Sequence, residues 1–211
     1  FKTHSIVAMA SPTGQTINYA FHSEVAVQRP NKLVSKNRGD GPAFDLYYDG
    51  RTFSRVDEKL GLYAQISAPA SLDELIPLVR DKTGIYFPSA DMLYSDLCEK
   101  LPKDLTHAYW GGKSTGAGGG CDHLAFAAPG VEWQIWVGPK QAPLPRRLMA
   151  AQPSGAQQPR FMVTFSDWDL EPALSAERFE FKKPLGAKQA EFPALVTGNR
   201  SSLLVAQGSD T

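Results

Sequence analysis

From Gln15 to Arg29 the apolar residues Ile17, Tyr19, Phe21, Val25 and Val27 alternate with Asn18, His22, Glu24 and Gln28, the period of two that marks a strand with one face buried. Pro12-Thr13-Gly14 before it carries turn chemistry, so the apolar segment Ser5 to Ala10 is expected to pair with it as an antiparallel hairpin. Arg29-Pro30-Asn31 ends the strand in the same way. Leu33 to Lys36, Phe44 to Tyr48, Thr52 to Val56 and Leu62 to Ile66 read as further short strands. They are joined by Gly39-Asp40-Gly41-Pro42, Asp49-Gly50 and Asp57 to Gly61, which makes this part of the chain a meander. Asp49-Gly50 is the strongest of these turn signals, because both residue types tolerate the positive φ of a type I′ hairpin turn.

At Ser71 the period changes. Ser71-Leu72-Asp73-Glu74 has the form of a capping box, and Leu72, Leu75, Ile76 and Val79 follow at helical spacing, so a helix is expected to run to about Lys82 with Gly84 as its stop. Pro88-Ser89 opens a second short helical stretch through Met92, Leu93 and Leu97, ended by Pro102. Strand patterns then resume at His107 to Lys113, Cys121 to Ala128, Val131 to Val137, Arg147 to Ala151, Phe161 to Ser166 and Phe179 to Phe181, with Gly116 to Gly120 as a hairpin tip. Strands, then two helices, then more strands suit an α+β domain in which a few helices cover one face of an antiparallel sheet. One domain over residues 1–192 is expected, followed by a Ser-, Gly- and Asn-rich tail over 193–211 whose one small apolar cluster is Leu203 to Val205.

The 22 basic and 22 acidic residues leave no net field to concentrate phosphate backbones, which excludes nucleic acid as an expected partner. Every apolar run is interrupted well short of the ~20 residues a spanning helix needs. The chain begins at Phe1 with no export signal ahead of it, and a processed, exported form is the expectation. Cys98 and Cys121 are the two cysteines, too few for a zinc site of their own; in an oxidising compartment they form either one disulfide or two inert buried thiols.

Three constellations invite a catalytic or metal reading. Cys121-Asp122-His123 gathers a thiol, a carboxylate and an imidazole, but strand alternation turns Asp122 away from its two neighbours. Asp167 and Asp169 flank Trp168 at turn positions, where carboxylates accept backbone hydrogen bonds more often than they move protons. His4, His22 and His107 fall on separate strands without metal spacing, and the glycines from Gly116 to Gly120 lack the Lys-Ser/Thr pair and the helix of a phosphate loop. No catalytic residue, metal ligand or cofactor is expected. The aromatic pattern carries more: Trp133 and Ile135 share one strand face, Phe161, Val163 and Phe165 another, and two helices are few to cover about ten strands. Either side chains fill the space or an apolar hollow remains.

Arg29-Pro30, Tyr48-Asp49-Gly50, Ala68-Pro69, Cys121-Asp122-His123-Leu124-Ala125-Phe126, Glu132-Trp133-Gln134-Ile135-Trp136, Pro143-Leu144-Pro145-Arg146 and Ser166-Asp167-Trp168 together resemble a family of predicted periplasmic bacterial proteins of unknown function. That family is similar in fold to the lipoprotein carrier LolA, and the likeness runs from about Thr16 to Phe192. The resemblance implies a single curved antiparallel sheet, an unclosed half-barrel covered on its concave face by a few helices, with a hydrophobic cavity that in relatives accepts acyl chains. On that basis the chain is expected to be a periplasmic, non-enzymatic binding or carrier protein for a lipid or lipid-anchored protein. Its cavity would be lined by Tyr19, Phe21, Leu46 and Tyr48, by Leu72, Leu75, Ile76 and Val79 of the helix, and by Trp133, Ile135, Val163 and Phe165. The competing expectations are an envelope protein-interaction or sensing module with no ligand, and, at the margin, a hydrolase using His123 or the Asp167 and Asp169 pair.

Overall fold

The computed structural model describes residues 1–11, 13–83, 88–100, 105–116, 119–151 and 160–192. The strands are β1 (Lys2–Ala10), β2 (Thr16–Gln28), β3 (Lys32–Gly39), β4 (Phe44–Tyr48), β5 (Thr52–Asp57), β6 (Leu62–Ser67), β7 (His107–Ser114), β8 (Cys121–Ala128), β9 (Val131–Val137), β10 (Pro145–Ala151), β11 (Arg160–Ser166) and β12 (Lys188–Gln189). Between β6 and β7 lie the helix α1 (Leu72–Thr83), a 3-10 segment (Pro88–Leu93) and the single turn α2 (Leu97–Lys100). The strands are hydrogen-bonded in the order β12-β6-β5-β4-β3-β2-β1-β11-β10-β9-β8-β7. Pairing is antiparallel from β3 to β6 and from β7 through β11 to β1, while β12 lies parallel to β6.

The chain forms two compact units, one of Phe1–His22 with Cys98–Trp168, the other of Ser23–Leu97 with the segment from Asp169 onward. In the second unit, alternation sends Leu33, Leu46, Tyr48, Phe53 and Ala64 to one face, where they meet Leu72, Leu75 and Val79 of α1 and Phe192 in a single buried cluster. Each fully buried leucine or valine there contributes roughly 1.5–3 kcal/mol. The helix starts where the capping box places it. The Glu74 amide donates to Ser71 Oγ at 3.3 Å, and Ser71 Oγ–H donates back to the Glu74 carboxylate at 2.8 Å. Its entry is pinned by the Leu72 amide donating to the Pro30 carbonyl at 2.8 Å, and the Ser95 amide donates to Asp73 Oδ1 at 2.8 Å. Tyr48, wholly buried, donates its hydroxyl to the Pro69 carbonyl at 2.5 Å.

Several expectations are corrected. Among the described residues the few helices reduce to one of more than a single turn, α1. The stretch from Pro88 forms a 3-10 segment in which the Tyr94 amide donates to the Asp91 carbonyl at 3.3 Å, and a turn at Ser95 and Asp96 breaks it before α2. Phe179 to Phe181 is not a strand: Ala176–Phe179 is a 3-10 turn that buries Phe179 beneath Lys32, while Phe181 packs on Tyr47 and Tyr63. Asp49-Gly50 does not form a type I′ turn. Gly50 alone of the pair takes a positive φ, 92°, while Asp49 accepts the Arg51 and Thr52 amides through its Oδ1 at 2.9 and 2.8 Å. The Gly84 stop, Pro102, positions 117–118 of the glycine tip and the tail from residue 193 lie outside the described residues.

The capping and the core give two stability predictions. Ser71→Ala is expected to lower unfolding free energy by about 1 kcal/mol and Leu75→Ala by ~2–5 kcal/mol, measured by urea denaturation. Burial, reinforced by the charges of Glu74 and Asp49, pushes the Tyr48 phenol up to about 12. An unfolded tyrosine ionises near ~10, so the stability tied to the neutral phenol is intact below that pH and is lost as pH rises towards 12. Unfolding measured across this window should therefore show wild type losing stability relative to Tyr48→Phe; parallel curves would contradict the assignment.

Candidate functional site

The register of the first unit aligns its side chains in rows. Trp110 of β7 faces Leu124 of β8, which faces Ile135 of β9, then Leu148 of β10, then Val163 of β11 and Ser5 of β1. The neighbouring row on the same face is Ala108, Phe126, Trp133, Ala150, Phe161 and Val7. Along the first row burial falls from β11 towards the β7 edge: Val163 is 0% and Leu148 5% exposed, Ile135 and Leu124 are half-buried, and Trp110 is 61% exposed. Phe126 and Trp133 stack at 5.4 Å, both half-buried. The result is one apolar sheet face, sealed at β10 and β11 and open towards β7. Large contiguous apolar surface of this kind marks a binding surface more often than a scattered exposed residue does.

The exposed indole at its rim is held in place. Trp110 Nε1–H donates to Asp122 Oδ1 at 3.4 Å, and Lys113 Nζ lies 2.8 Å from the same carboxylate. Lys113 first, aided by the indole, holds the Asp122 carboxyl below its usual range. At the sealed end Phe165 packs against Trp168 at 5.8 Å, Trp168 stacks on Phe1 at 4.4 Å, and its indole donates to the Pro145 carbonyl at 3.0 Å.

Six of the twelve residues expected to line a cavity belong to this unit. Trp133, Ile135, Val163 and Phe165 share the apolar face. Tyr19 and Phe21, half-buried, alternate with His22, whose ring stacks at 4.5 Å on His4 of the opposite face, so they point to the apolar side as well. Of the other six, Leu46, Tyr48, Leu72, Leu75 and Val79 lie together in the buried cluster of the second unit, and Ile76 is half-buried on α1.

The strand pattern also carries a cluster that the reading of apolar residues missed. In the second unit Ser35 and Asn37 of β3 and Arg55 and Asp57 of β5 occupy the same inward parity as Leu33 and Phe53, and all four are buried. Ser23 Oγ–H donates to Asn37 Oδ1 at 2.8 Å, and Asn37 Nδ2 donates to the carbonyls of Ser35 and Phe44 at 3.2 and 3.3 Å. The Arg55 guanidinium lies 4.2 Å over the Phe44 ring. Burial lowers its pKa, with Asp57 opposing the shift. Polar residues at inward positions of an alternating strand were the available signal.

The residues weighed for catalysis are dispersed. Cys121 and His123 share the face opposite Asp122. Cys121 is wholly buried with Sγ 3.6 Å from the Gly119 carbonyl, and His123 Nε2 meets Gln134 Oε1 at 2.9 Å and stacks on Trp136 at 4.2 Å. Asp167 pairs with Lys2 at 3.0 Å, Asp169 accepts the Glu171 amide at 3.1 Å, and His107 is exposed on β7. The proposed partner of Cys121 involves the Cys98 side chain, which is outside the described residues. Among the described residues, no three His, Cys, Asp or Glu side chains gather as a metal site, and no helix is long and apolar enough to cross a membrane.

A family model described as "Predicted periplasmic protein (DUF2092)" matches residues 1–193. No curated protein matches the chain. Among solved structures, lipoprotein LppX of Mycobacterium tuberculosis is similar at 10% identity and a TM-score of 0.37, covering 82% of this chain and 89% of that one. A DUF1329 family protein from Desulfovibrio piger is similar at 13% identity and a TM-score of 0.31, covering 85% and 88%. A putative outer membrane lipoprotein-sorting protein domain from Vibrio parahaemolyticus is similar at 10% identity and a TM-score of 0.34, covering 84% and 88%.

Proposed function

Because the chain belongs to this family of predicted periplasmic proteins, it is periplasmic, and we propose that it is a non-enzymatic binding or carrier protein holding a lipid or lipid-anchored protein on the apolar face of its first unit. The supporting observation is the burial gradient from Val163 to Trp110. On this reading the sheet is of the lipoprotein-carrier type that the sequence motifs resemble, and Leu124, Phe126, Trp133 and Ile135 are the surface an acyl chain contacts. Each methylene taken from water contributes ~0.8 kcal/mol. About a dozen therefore supply on the order of 10 kcal/mol, comparable with an association cost of roughly 4–15 kcal/mol.

The competing reading, an envelope protein-interaction or sensing module without a ligand, draws on a different observation. Leu46, Tyr48, Leu72, Leu75 and Val79 are packed together in the second unit, and Tyr109 of the end strand β7 is 72% exposed. A solid core and an exposed aromatic strand are what such a module would use.

A doxyl-labelled fatty acid is expected to quench the tryptophan fluorescence of the purified protein saturably. Ile135→Glu, which places a charge on the half-buried apolar face, is expected to weaken that binding at least tenfold, while Lys140→Glu in an exposed turn leaves it unchanged. Protein that shows no saturable quenching and yields no lipid on extraction would defeat the carrier reading in favour of the module.

A further inference from the structure

Strand β5 brings Phe53 into the core against α1, and its next two inward positions are Arg55 and Asp57, 7% and 0% exposed. Neither side chain is fully satisfied. Arg55 Nε and Asp57 Oδ2 are buried without hydrogen-bond partners, while Asp57 Oδ1 accepts the Leu60 amide at 3.1 Å. The Phe44 ring covers the face of the guanidinium but offers nothing to its N–H edge. Ser35 and Asn37, which share this face on β3, bond elsewhere: Ser23 and Ser35 both donate to Asn37 Oδ1, and Asn37 Nδ2 donates to backbone carbonyls. Leaving a buried cation and a buried carboxylate each with an open position destabilises the folded chain, and replacing such groups by apolar ones of similar volume is often neutral or stabilising. Stability alone therefore does not account for the pair.

We propose that the second unit holds a recognition site for a small group that joins an anionic oxygen to a hydrogen-bond donor, such as a phosphate or carboxylate linked to an amine or hydroxyl. Arg55 takes the anionic oxygen and Asp57 takes the donor. A bare anion fits less well, since it would satisfy Arg55 while facing the Asp57 carboxylate. Two inward residues of one strand stand about 6.6 Å apart, a span that one phosphate and one amine separated by a two-carbon link can bridge. The site is independent of the apolar face of the first unit, and its ligand comes either as a free small molecule or as the head group of an amphiphile.

Calorimetric titration of the full chain tests it with three probes: phosphoethanolamine, inorganic phosphate and lysophosphatidylethanolamine. Phosphoethanolamine is expected to bind saturably and at least tenfold more tightly than inorganic phosphate. Arg55→Met should lose binding at least tenfold, and Asp57→Asn should remove the preference for the amine-bearing probe. Should Arg55→Met fail to fold, Arg55→Lys, which keeps the charge but loses the forked donors, is expected to bind more weakly than wild type. Tighter binding of the lysolipid assigns the group to a lipid head, and equal binding assigns it to a free molecule. Wild-type protein that binds none of the three, or an Arg55 variant that binds as well as wild type, would overturn the proposal. Phosphoethanolamine has no acyl chain, so its failure leaves the carrier reading untouched.

Discussion

The register that locks β7, β8, β9, β10 and β11 together is the constraint on which the functional account rests. In an antiparallel ladder, residues opposite one another point to the same side, and a slip of one position would exchange the two faces. With Leu124 opposite Ile135 and Ile135 opposite Leu148, the side chains of Leu124, Phe126, Trp133, Ile135, Leu148, Phe161 and Val163 fall into two adjacent rows on one side. His123, Trp136 and Arg147 fall into a row on the other. One set of hydrogen bonds thus produces both an oily face and a polar, aromatic one.

The second unit shows how the same alternation ends when a helix is available. There α1 packs with Leu33, Leu46, Tyr48, Phe53 and Ala64, and the segment after Asp169 adds Phe181 against Tyr63, β12 beside the edge of β6 and Phe192 stacked on Phe53 at 5.7 Å. Pairing of β12 with Leu62 and Tyr63 blunts that part of the β6 edge. The first unit carries its apolar residues towards β7, the opposite end strand, where Trp110 is fixed by hydrogen bonding to Asp122 instead of being packed away.

Local patterns made much of this legible. The alternation in β2, the turn residues bounding β4 and β5 and the capping box at Ser71 each depend on neighbours within a few positions, and they appear where the sequence places them. What could not be read depends on partners far along the chain. The two-residue β12 exists only because β6 offers it carbonyls and amides, and His4 meets His22 only through pairing across the hairpin. Phe179 is drawn into a 3-10 turn by the burial site beneath Lys32. The inward parity of Arg55 and Asp57 was visible in the strand, but a search for apolar faces passes over charged residues that share them.

The claim that the first unit presents an acyl-binding face is tested most directly by photo-crosslinking with a diazirine fatty acid, followed by peptide mapping. The account predicts adducts on β8 and β9 at Leu124, Phe126, Trp133 and Ile135, the half-buried members of the two rows. Adducts confined to the opposite face, at Met149 or Thr164, would contradict it.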